Sequence, residues 1–163
     1  MIGNPQQAYP RKASDERPMK IVVLTGARVS AESGLGTFRD AGGLWGRYDL
    51  NDVATPGSFA RNPALVHYFY NARRQNGLNS LPNAAHTALV MLKKCNPHDL
   101  TIVTQNVDDL HERAGATRVI HMHGQLMRGL CGACDARWNA PAIMAPGDPC
   151  PSCAAPATRP DVV

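Results

Sequence analysis

Residues 21–40 read IVVLTGARVSAESGLGTFRD, and this stretch decides the fold. Its first four residues are apolar and rich in β-branched side chains, and Thr25 and Gly26 follow them directly. This order predicts a buried strand that ends in a tight turn. From Gly26 to Gly46 the chain is rich in glycine, serine and charge without a sustained period. A connection of this length in a compact domain is typically functional.

The segment after this strand occupies the place where a doubly wound fold presents backbone amides to a phosphate. The usual dinucleotide fingerprint of glycines is absent from it. On the glycine pattern alone, phosphate binding and an ordinary surface loop are therefore equally good interpretations.

Two helices are predicted downstream. The first begins at Asn62-Pro63 and is expected to close at Asn76-Gly77, because Asn and Pro favour a helix start and Gly a helix end. The second is expected over about residues 83–94, with Leu89 and Leu92 facing inward. Cys95 continues the spacing of its apolar residues, which favours a buried structural thiol.

Further strands are predicted at Leu100–Thr104 and Val119–Met122, with a short helix that ends at Gly115 between them. Strands that alternate with helices predict a parallel α/β sheet. After Gly124 the composition shifts to Cys, Gly, Pro and Ala, which indicates a separate small module.

Two Cys-x-x-Cys units, Cys131-Gly-Ala-Cys134 and Cys150-Pro-Ser-Cys153, are separated by fifteen residues. Four thiolates at this spacing can close a tetrahedral shell around Zn²⁺, and a site without an open position is structural. A redox pair or two unrelated thiol pairs are the alternatives, but neither explains the shared spacing.

The composition is that of an ordinary soluble globular chain, with 163 residues, 44% hydrophobic residues and a net charge of +4. This length suits one domain with a small module attached. The charge suits an anionic ligand, and the chain lacks the run of Lys and Arg that marks a nucleic-acid-binding tract.

No apolar stretch is long enough to span a bilayer, and residues 1–18 lack the apolar centre of a secretory signal. We therefore expect a disordered tail on a cytoplasmic protein. Met19 lies directly before the first strand and is a candidate for the true start.

Several motifs occur together and in a fixed order. They are Gly26-Ala-x-x-Ser-Ala-Glu-Ser-Gly-x-x-Thr-Phe-Arg-Asp40, Pro82-Asn-Ala-Ala-His86, Thr104-Gln-Asn-Val-Asp108, Leu110-His-Glu-Arg-Ala-Gly115, His121-Met-His-Gly124 and the four cysteines. Over about residues 20–163 the chain resembles the sirtuins, the Sir2 family of NAD-dependent protein lysine deacylases. It looks most like bacterial members allied to the desuccinylase and demalonylase class.

The resemblance implies a partial Rossmann-like sheet, NAD as cofactor, one structural Zn²⁺, and transfer of an acyl group from a protein lysine to ADP-ribose with release of nicotinamide. His123 would be the general base, because an imidazole titrates near working pH. His121 is expected only to satisfy a strand end, and the other histidines carry no comparable signal. The cofactor-binding residues implied are Gly26, Ala27, Ser30, Ala31, Glu32, Phe38, Arg39, Trp45, Gln105, Asn106, Val107 and Asp108.

Tyr70 and Arg73 lie three residues apart and so share one face of the first predicted helix. They match the Tyr-x-x-Arg pair that receives acidic acyl groups in this class. An arginine can bind a carboxylate with two parallel hydrogen bonds. The spacing alone is common by chance, and the neighbouring Arg74 could equally be solvated.

The sequence departs from the family pattern in three places. Arg28 stands where the family has a glycine that takes positive φ near the pyrophosphate, so we expect weaker NAD binding. Gly36 stands where many relatives have proline, which loosens the loop. The chain stops after Arg159-Pro-Asp-Val-Val163, before strands that the family would add. Unpaired edges and uncovered apolar faces then predict self-association, whereas the full-length form is expected to be monomeric.

The expected domains are a tail over residues 1–18, a partial NAD-binding domain over 19–124 with a helical insertion at about 50–80, and a zinc module over 125–163. An active deacylase is the leading functional hypothesis. The alternative is an inactive, truncated fragment that acts as a zinc-bearing binding module. A zinc-ribbon nucleic-acid binder fits the cysteines but not the loop Gly26–Asp40.

Overall fold

The computed structural model describes residues 20–36, 48–95 and 100–162. The expected tail over residues 1–18 and the predicted cofactor residues Phe38, Arg39 and Trp45 lie outside these ranges. Among the described residues, no helix is both long enough and apolar enough to cross a membrane.

The described residues form six strands, five α-helices and a 3-10 helix over Ala27–Ser33. The strands are β1 (Ile21–Thr25), β2 (Leu100–Thr104), β3 (Val119–His121), β4 (Gly124–Cys131), β5 (Arg137–Asn139) and β6 (Thr158–Val162). The helices are α1 (Leu50–Val53), α2 (Pro56–Arg61), α3 (Pro63–Asn79), α4 (Ala84–Cys95) and α5 (Leu110–Arg113).

The first three strands form a parallel sheet in the order β1-β2-β3. Thr25 aligns with Thr104, and Thr104 with His121, so the carboxyl ends of all three strands meet at one edge. The prediction of a parallel α/β sheet is confirmed. In such sheets the crevice beyond this edge is where ligands bind.

One face of this sheet is covered and the other is exposed. Val90 of α4 packs with Leu100, Ile102 and Ala116 in a buried cluster. On the other face Val22, Leu24 and Ile120 are 68%, 60% and 53% exposed. The expectation that β1 is buried throughout is therefore wrong, since its side chains alternate and only one of its two faces is packed within the described chain.

Helices α1 to α3 pack around a second core of Val53, Val66, Phe69 and Tyr70, which Leu126 and Val162 complete. The start of α3 is as predicted, and the Asn62 side chain accepts a hydrogen bond from the Leu65 amide.

The predicted closure of α3 at Gly77 is wrong, because the helix continues to Asn79. A Cβ atom on Gly77 would lie 3.2 Å from the Met127 side chain and 3.5 Å from that of Leu126. Gly77 therefore allows the close approach of α3 to β4, and it does not end the helix.

Helix α4 buries a narrower stripe than expected. His86 and Val90 are buried, Leu89 packs beside them, and Leu92 is 41% exposed. Cys95 is exposed as well, so the expectation of a buried thiol is wrong. The buried stripe follows positions 86, 89 and 90, and residues 92 and 95 do not lie on this face of the helix.

The remaining strands form an antiparallel sheet in the order β5-β4-β6. β4 and β6 run side by side from Gly124 to Cys131, and Gly124 has a φ of +82°. A side chain on Gly124 would overlap the carbonyl group of Asp161. This sheet carries the Cys-x-x-Cys units and contacts α3 through β4 and β6.

Candidate active site and thiol cluster

A cavity of about 530 Å³ lies where the carboxyl ends of β1 and β2 face α3. This volume is within the range of small-molecule sites. Nine of the residues that the sequence singled out line it, namely Ala27, Ser30, Tyr70, Arg73, Gln105, Asn106, Val107, Asp108 and His123.

Three of the other predicted cofactor residues are described but do not line this cavity. Gly26 ends the turn after β1, where a Cβ atom would lie 3.3 Å from Oε1 of Gln105. Ala31 and Glu32 lie in the 3-10 helix at exposed positions.

Ser30 is the centre of a buried polar network on the floor of the cavity. It is 2% exposed, and its hydroxyl donates to Oδ2 of Asp108 at 3.0 Å. The Asn106 side-chain amide donates to the Ser30 hydroxyl at 3.0 Å. The other carboxylate oxygen of Asp108 accepts from the Leu110 amide at 3.2 Å. These hydrogen bonds hold the 3-10 helix and the turn after β2 together.

His123 has a fixed tautomer. Its Nδ1 lies 2.9 Å from the backbone carbonyl oxygen of Gln105, which can only accept a hydrogen bond. Nδ1 therefore carries the proton in the neutral ring, and Nε2 keeps a free lone pair. The ring is exposed and lines the cavity, so Nε2 is available as a base.

His121 has a structural role, as expected. Its Nδ1 lies 3.1 Å from the Asn106 carbonyl oxygen, and its Nε2 lies 2.7 Å from Oε1 of Glu112. Burial opposes the charge on the ring, but the hydrogen bond and charge of Glu112 outweigh burial and raise the pKa of His121. Both ring nitrogens face acceptors, an arrangement that favours the protonated ring.

Tyr70 and Arg73 reach the cavity from α3. Tyr70 is 3% exposed, and the guanidinium carbon of Arg73 lies 5.6 Å from the centre of its ring. Burial raises the pKa of the Tyr70 hydroxyl, and the positive charge of Arg73 partly offsets this rise. Burial lowers the pKa of Arg73, whereas Tyr70 and Asp108 favour its charged form.

Arg74 points the other way and is not solvated, which corrects that alternative. It is 1% exposed, and its Nε donates to the Leu126 carbonyl oxygen at 3.0 Å. Its Nη1 donates to Oδ1 of Asn71 at 3.0 Å and to the Ala142 carbonyl oxygen at 3.4 Å. The two neighbouring arginines therefore have different roles. Arg73 faces the cavity, and Arg74 joins α3 to the antiparallel sheet.

Arg28 is exposed within the 3-10 helix and does not line the cavity. Among the described residues, the non-glycine positions with positive φ are Arg118, Asp135 and Ala154. The expectation that position 28 needs the left-handed conformation is wrong, because a 3-10 helix has negative φ throughout. Weaker NAD binding caused by Arg28 stays a prediction.

The four cysteines of the two Cys-x-x-Cys units converge, with all their sulfur atoms within 4.8 Å of one another. Sγ of Cys131 and Cys153 are 3.7 Å apart, and those of Cys134 and Cys150 are 3.8 Å apart. Thiolates bound tetrahedrally to Zn²⁺ at about 2.3 Å lie about 3.8 Å from one another. The donor set and its geometry are therefore compatible with a zinc-binding module.

The two units have the same local backbone. The amides of Ala133 and Ser152 each donate to the first sulfur of their unit at 3.3 Å. Asp135 and Ala154, which follow the second cysteines, have φ of 57° and 61°. Each unit is therefore a tight knuckle that presents two sulfur atoms on the same side.

Sequence reasoning missed two features of the site. Asn76 lines the cavity one helical turn beyond Arg73. The three-residue spacing of Tyr70 and Arg73 indicates this position, because Asn76 continues the same face of the helix. His86 and His111 also make contacts next to the site that the sequence did not indicate. Their buried rings lie 4.9 Å apart, and Nε2 of His111 lies 2.9 Å from the Thr25 hydroxyl. No spacing rule in the sequence predicts that ring contact.

Comparison with known proteins agrees with this geometry. The profile of the Sir2 family matches residues 26–163. An NAD-dependent protein deacylase of Caulobacter vibrioides is 58% identical over 139 residues, which cover 83% of this chain and 58% of that protein.

Solved structures of the same family share the fold. A Sir2 homologue in complex with NAD superposes with a TM-score of 0.78 at 42% identity, over 91% of this chain and 57% of that one. Sir2 bound to an acetylated peptide superposes with a TM-score of 0.68 at 25% identity, over 91% of this chain and 59% of that one.

The fold and the cavity define an α/β protein with a cavity at the carboxyl edge of a parallel sheet. The chain belongs to the Sir2 family. It spans about three-fifths of the length of the relatives it matches.

Proposed function

We propose that this chain carries the NAD-binding and acyl-lysine-binding centre of an NAD-dependent protein deacylase. One observation carries the proposal. The free Nε2 of His123 lies in the same cavity as the Ser30–Asn106–Asp108 network and the Tyr70–Arg73 pair. The relatives' names and their complexes with NAD and with an acetylated peptide support the same reading.

The residues present fit the dinucleotide. The cavity is large enough for a ribose and a nicotinamide ring, and its polar groups are already ordered by hydrogen bonds to one another. Ala27 and Ser30 would line the dinucleotide, and Gln105, Asn106 and Asp108 would hold its ribose hydroxyls and carboxamide. When bound, NAD would supply the ribose carbon that the acyl oxygen attacks, with nicotinamide as the leaving group.

His123 acts as the general base in this proposal. Its Nε2 would take a proton from a ribose hydroxyl of the cofactor after nicotinamide has left, which would make that oxygen a better nucleophile. The Gln105 carbonyl oxygen holds the Nδ1 proton throughout, so it fixes the ring's direction and stabilises the cation that forms. This is the role that an orienting acceptor plays beside catalytic histidines in general.

The Tyr70–Arg73 pair supports a preference for acidic acyl groups such as succinyl and malonyl. A guanidinium can bind the terminal carboxylate with two parallel hydrogen bonds, and the phenol can add a third. Both side chains are largely enclosed, which strengthens a charge-assisted bond relative to one in water. An acetyl group has no terminal carboxylate for Tyr70 and Arg73 to bind, so the pair favours acidic acyl groups.

Zinc belongs to the proposal as a structural ion. The four coordination positions of the ion would be filled by Cys131, Cys134, Cys150 and Cys153. No position would then be left for a substrate or water. The ion would then hold the loops between β4, β5 and β6 in place.

The test is NAD-dependent removal of succinyl and acetyl groups from matched lysine peptides, with His123→Ala as the control. Turnover that the substitution abolishes is the expected result. Absence of turnover in a folded, zinc-loaded chain would contradict the proposal and favour the zinc-bearing binding module. The expected domain bounds, cytoplasmic location, monomeric full-length form and lack of nucleic-acid or membrane partners stay predictions.

A further inference from the structure

Asn83, just before α4, makes hydrogen bonds in two directions. Toward the helix, its Oδ1 accepts from the amides of Ala85 at 2.9 Å and His86 at 3.4 Å. Nδ1 of His86 lies 3.3 Å from the backbone amide nitrogen of Asn83 and 3.0 Å from its Oδ1. Asn83 therefore caps the first turn of α4 through Oδ1, and the His86 ring lies against it at the position that Glu or Gln takes in a capping box.

In the other direction, the side-chain amide nitrogen of Asn83 contacts the 3-10 helix Ala27–Ser33, which lies in the loop that follows β1. It donates to the Val29 carbonyl oxygen at 2.7 Å and lies 3.0 Å from the Ser33 hydroxyl. These contacts fall on either side of Ser30, the residue that organises Asn106 and Asp108. A single amide therefore fixes a segment that is more than fifty residues away in sequence.

The same loop is fixed at its beginning by a buried contact. The His86 ring, 0% exposed, packs at 4.9 Å against the ring of His111. Nε2 of His111 lies 2.9 Å from the hydroxyl of Thr25, the last residue before the loop. Asn83 thus belongs to a chain of contacts that continues through His86 and His111 to Thr25.

We propose that Asn83 is a positioning residue of the loop that binds the dinucleotide. Its side-chain amide sets where Ser30 lies, and its oxygen independently caps α4. The identity of the loop's ligand rests on the proposed function, whereas the clamp on the loop does not.

The substitution Asn83→Asp separates the two roles. Aspartate has the same shape and keeps the acceptor that caps α4, since Asp and Asn are equally good caps. It loses the donor, so the contact with the Val29 carbonyl oxygen becomes repulsive. Asn62→Asp is the matched control, because Asn62 caps α3 only through its oxygen. Asn83→Ser is a second variant that keeps a capping hydroxyl without adding charge.

Three measurements decide the proposal. Hydrogen exchange of the ligand-free chain should be about tenfold faster over residues 27–35 in Asn83→Asp and Asn83→Ser, and unchanged elsewhere. Titration with NAD should give a dissociation constant about tenfold higher for both variants. The KM for NAD should rise while the KM for the acylated peptide stays within about twofold. Asn62→Asp should change none of these.

Unchanged exchange over residues 27–35 would overturn the proposal, and so would faster exchange spread over α3 and the sheet. If the unsubstituted chain does not bind NAD, the proposed function fails. The exchange data alone then decide whether Asn83 clamps the loop.

Discussion

The Nε atom of Arg74 donates to the backbone carbonyl oxygen of Leu126 at 3.0 Å, and this bond joins α3 to β4. Arg74 is almost fully buried and lies next to Arg73, which faces the cavity. The guanidinium is held by backbone carbonyls, the Asn71 side chain and the Met144 sulfur. A buried cation satisfied in this way is a structural element that fixes the helix carrying the candidate acyl-binding pair.

Replacing Arg74 should therefore cost stability. Arg74→Met keeps much of the side-chain volume but leaves the Leu126 and Ala142 carbonyl oxygens without their donor. We expect a loss of about 2–4 kcal/mol in the free energy of unfolding. Urea denaturation followed by circular dichroism measures it. Arg73→Met is the matched control and should cost less, and equal losses for the two variants would contradict this division of roles.

Metal removal should unfold the antiparallel sheet selectively. We expect one Zn²⁺ per chain, and we expect a strong chelator or Cys153→Ser to release it and to lower the melting temperature. Atomic absorption and thermal denaturation are the measurements. Cys95→Ser is the control because Cys95 is exposed on α4 and is outside the thiol cluster. Full zinc content in Cys153→Ser would show that the four-thiolate site is wrong.

The sequence predicted the three strands of the parallel sheet and the thiol cluster because these depend on local patterns, but it did not predict β4, β5 and β6. The bounds of β2 match the run Leu100–Thr104, and the two Cys-x-x-Cys units bring their sulfurs together as their spacing required. Errors arose where a distant part of the chain decides the outcome. Gly77 continues a helix because β4 packs against it, and β1 is half exposed because one face lacks a covering element among the described residues.

The candidate site likewise combines features that the sequence predicted with features that it did not. The resemblance to the sirtuins implied nine of the residues that line the cavity, and their placement together agrees with the parallel strands ending at one edge. The roles of Arg74, Asn83 and the His86–His111 contact could not be predicted, because each depends on which side chain faces which neighbour across more than twenty residues of sequence.

Stability should fall as the pH drops below about 6.5. Burial lowers the pKa of His67, His86 and His111 in the folded chain. Below the ordinary histidine pKa the unfolded chain therefore binds more protons than the folded chain, and protonation favours unfolding. His121 acts in the opposite direction because Glu112 raises its pKa, so its contribution is present at low pH and is lost as the pH rises through its folded pKa.

The net effect can be measured by urea denaturation between pH 5 and 8. The folded-state pKa is lowered for three histidines and raised for one. We therefore expect the unfolding free energy to increase with pH across this window. His86→Asn should flatten the profile, and His121→Asn should steepen it. A profile that is flat in the unsubstituted chain would contradict the burial of these rings.

Acyl preference should depend on the fork geometry of Arg73 and not only on its charge. Arg73→Lys keeps a cation in the cavity but replaces two parallel donors with one ammonium group. We expect kcat/KM for a succinylated peptide to fall about 10- to 100-fold, and that for an acetylated peptide to change by less than about threefold. Tyr70→Phe removes one neutral donor and should cost the succinylated substrate about 5- to 10-fold. Steady-state assays on the two peptides at saturating NAD measure both ratios. Equal losses on the acetylated and succinylated peptides would show that the pair supports the fold of the cavity and does not recognise the carboxylate.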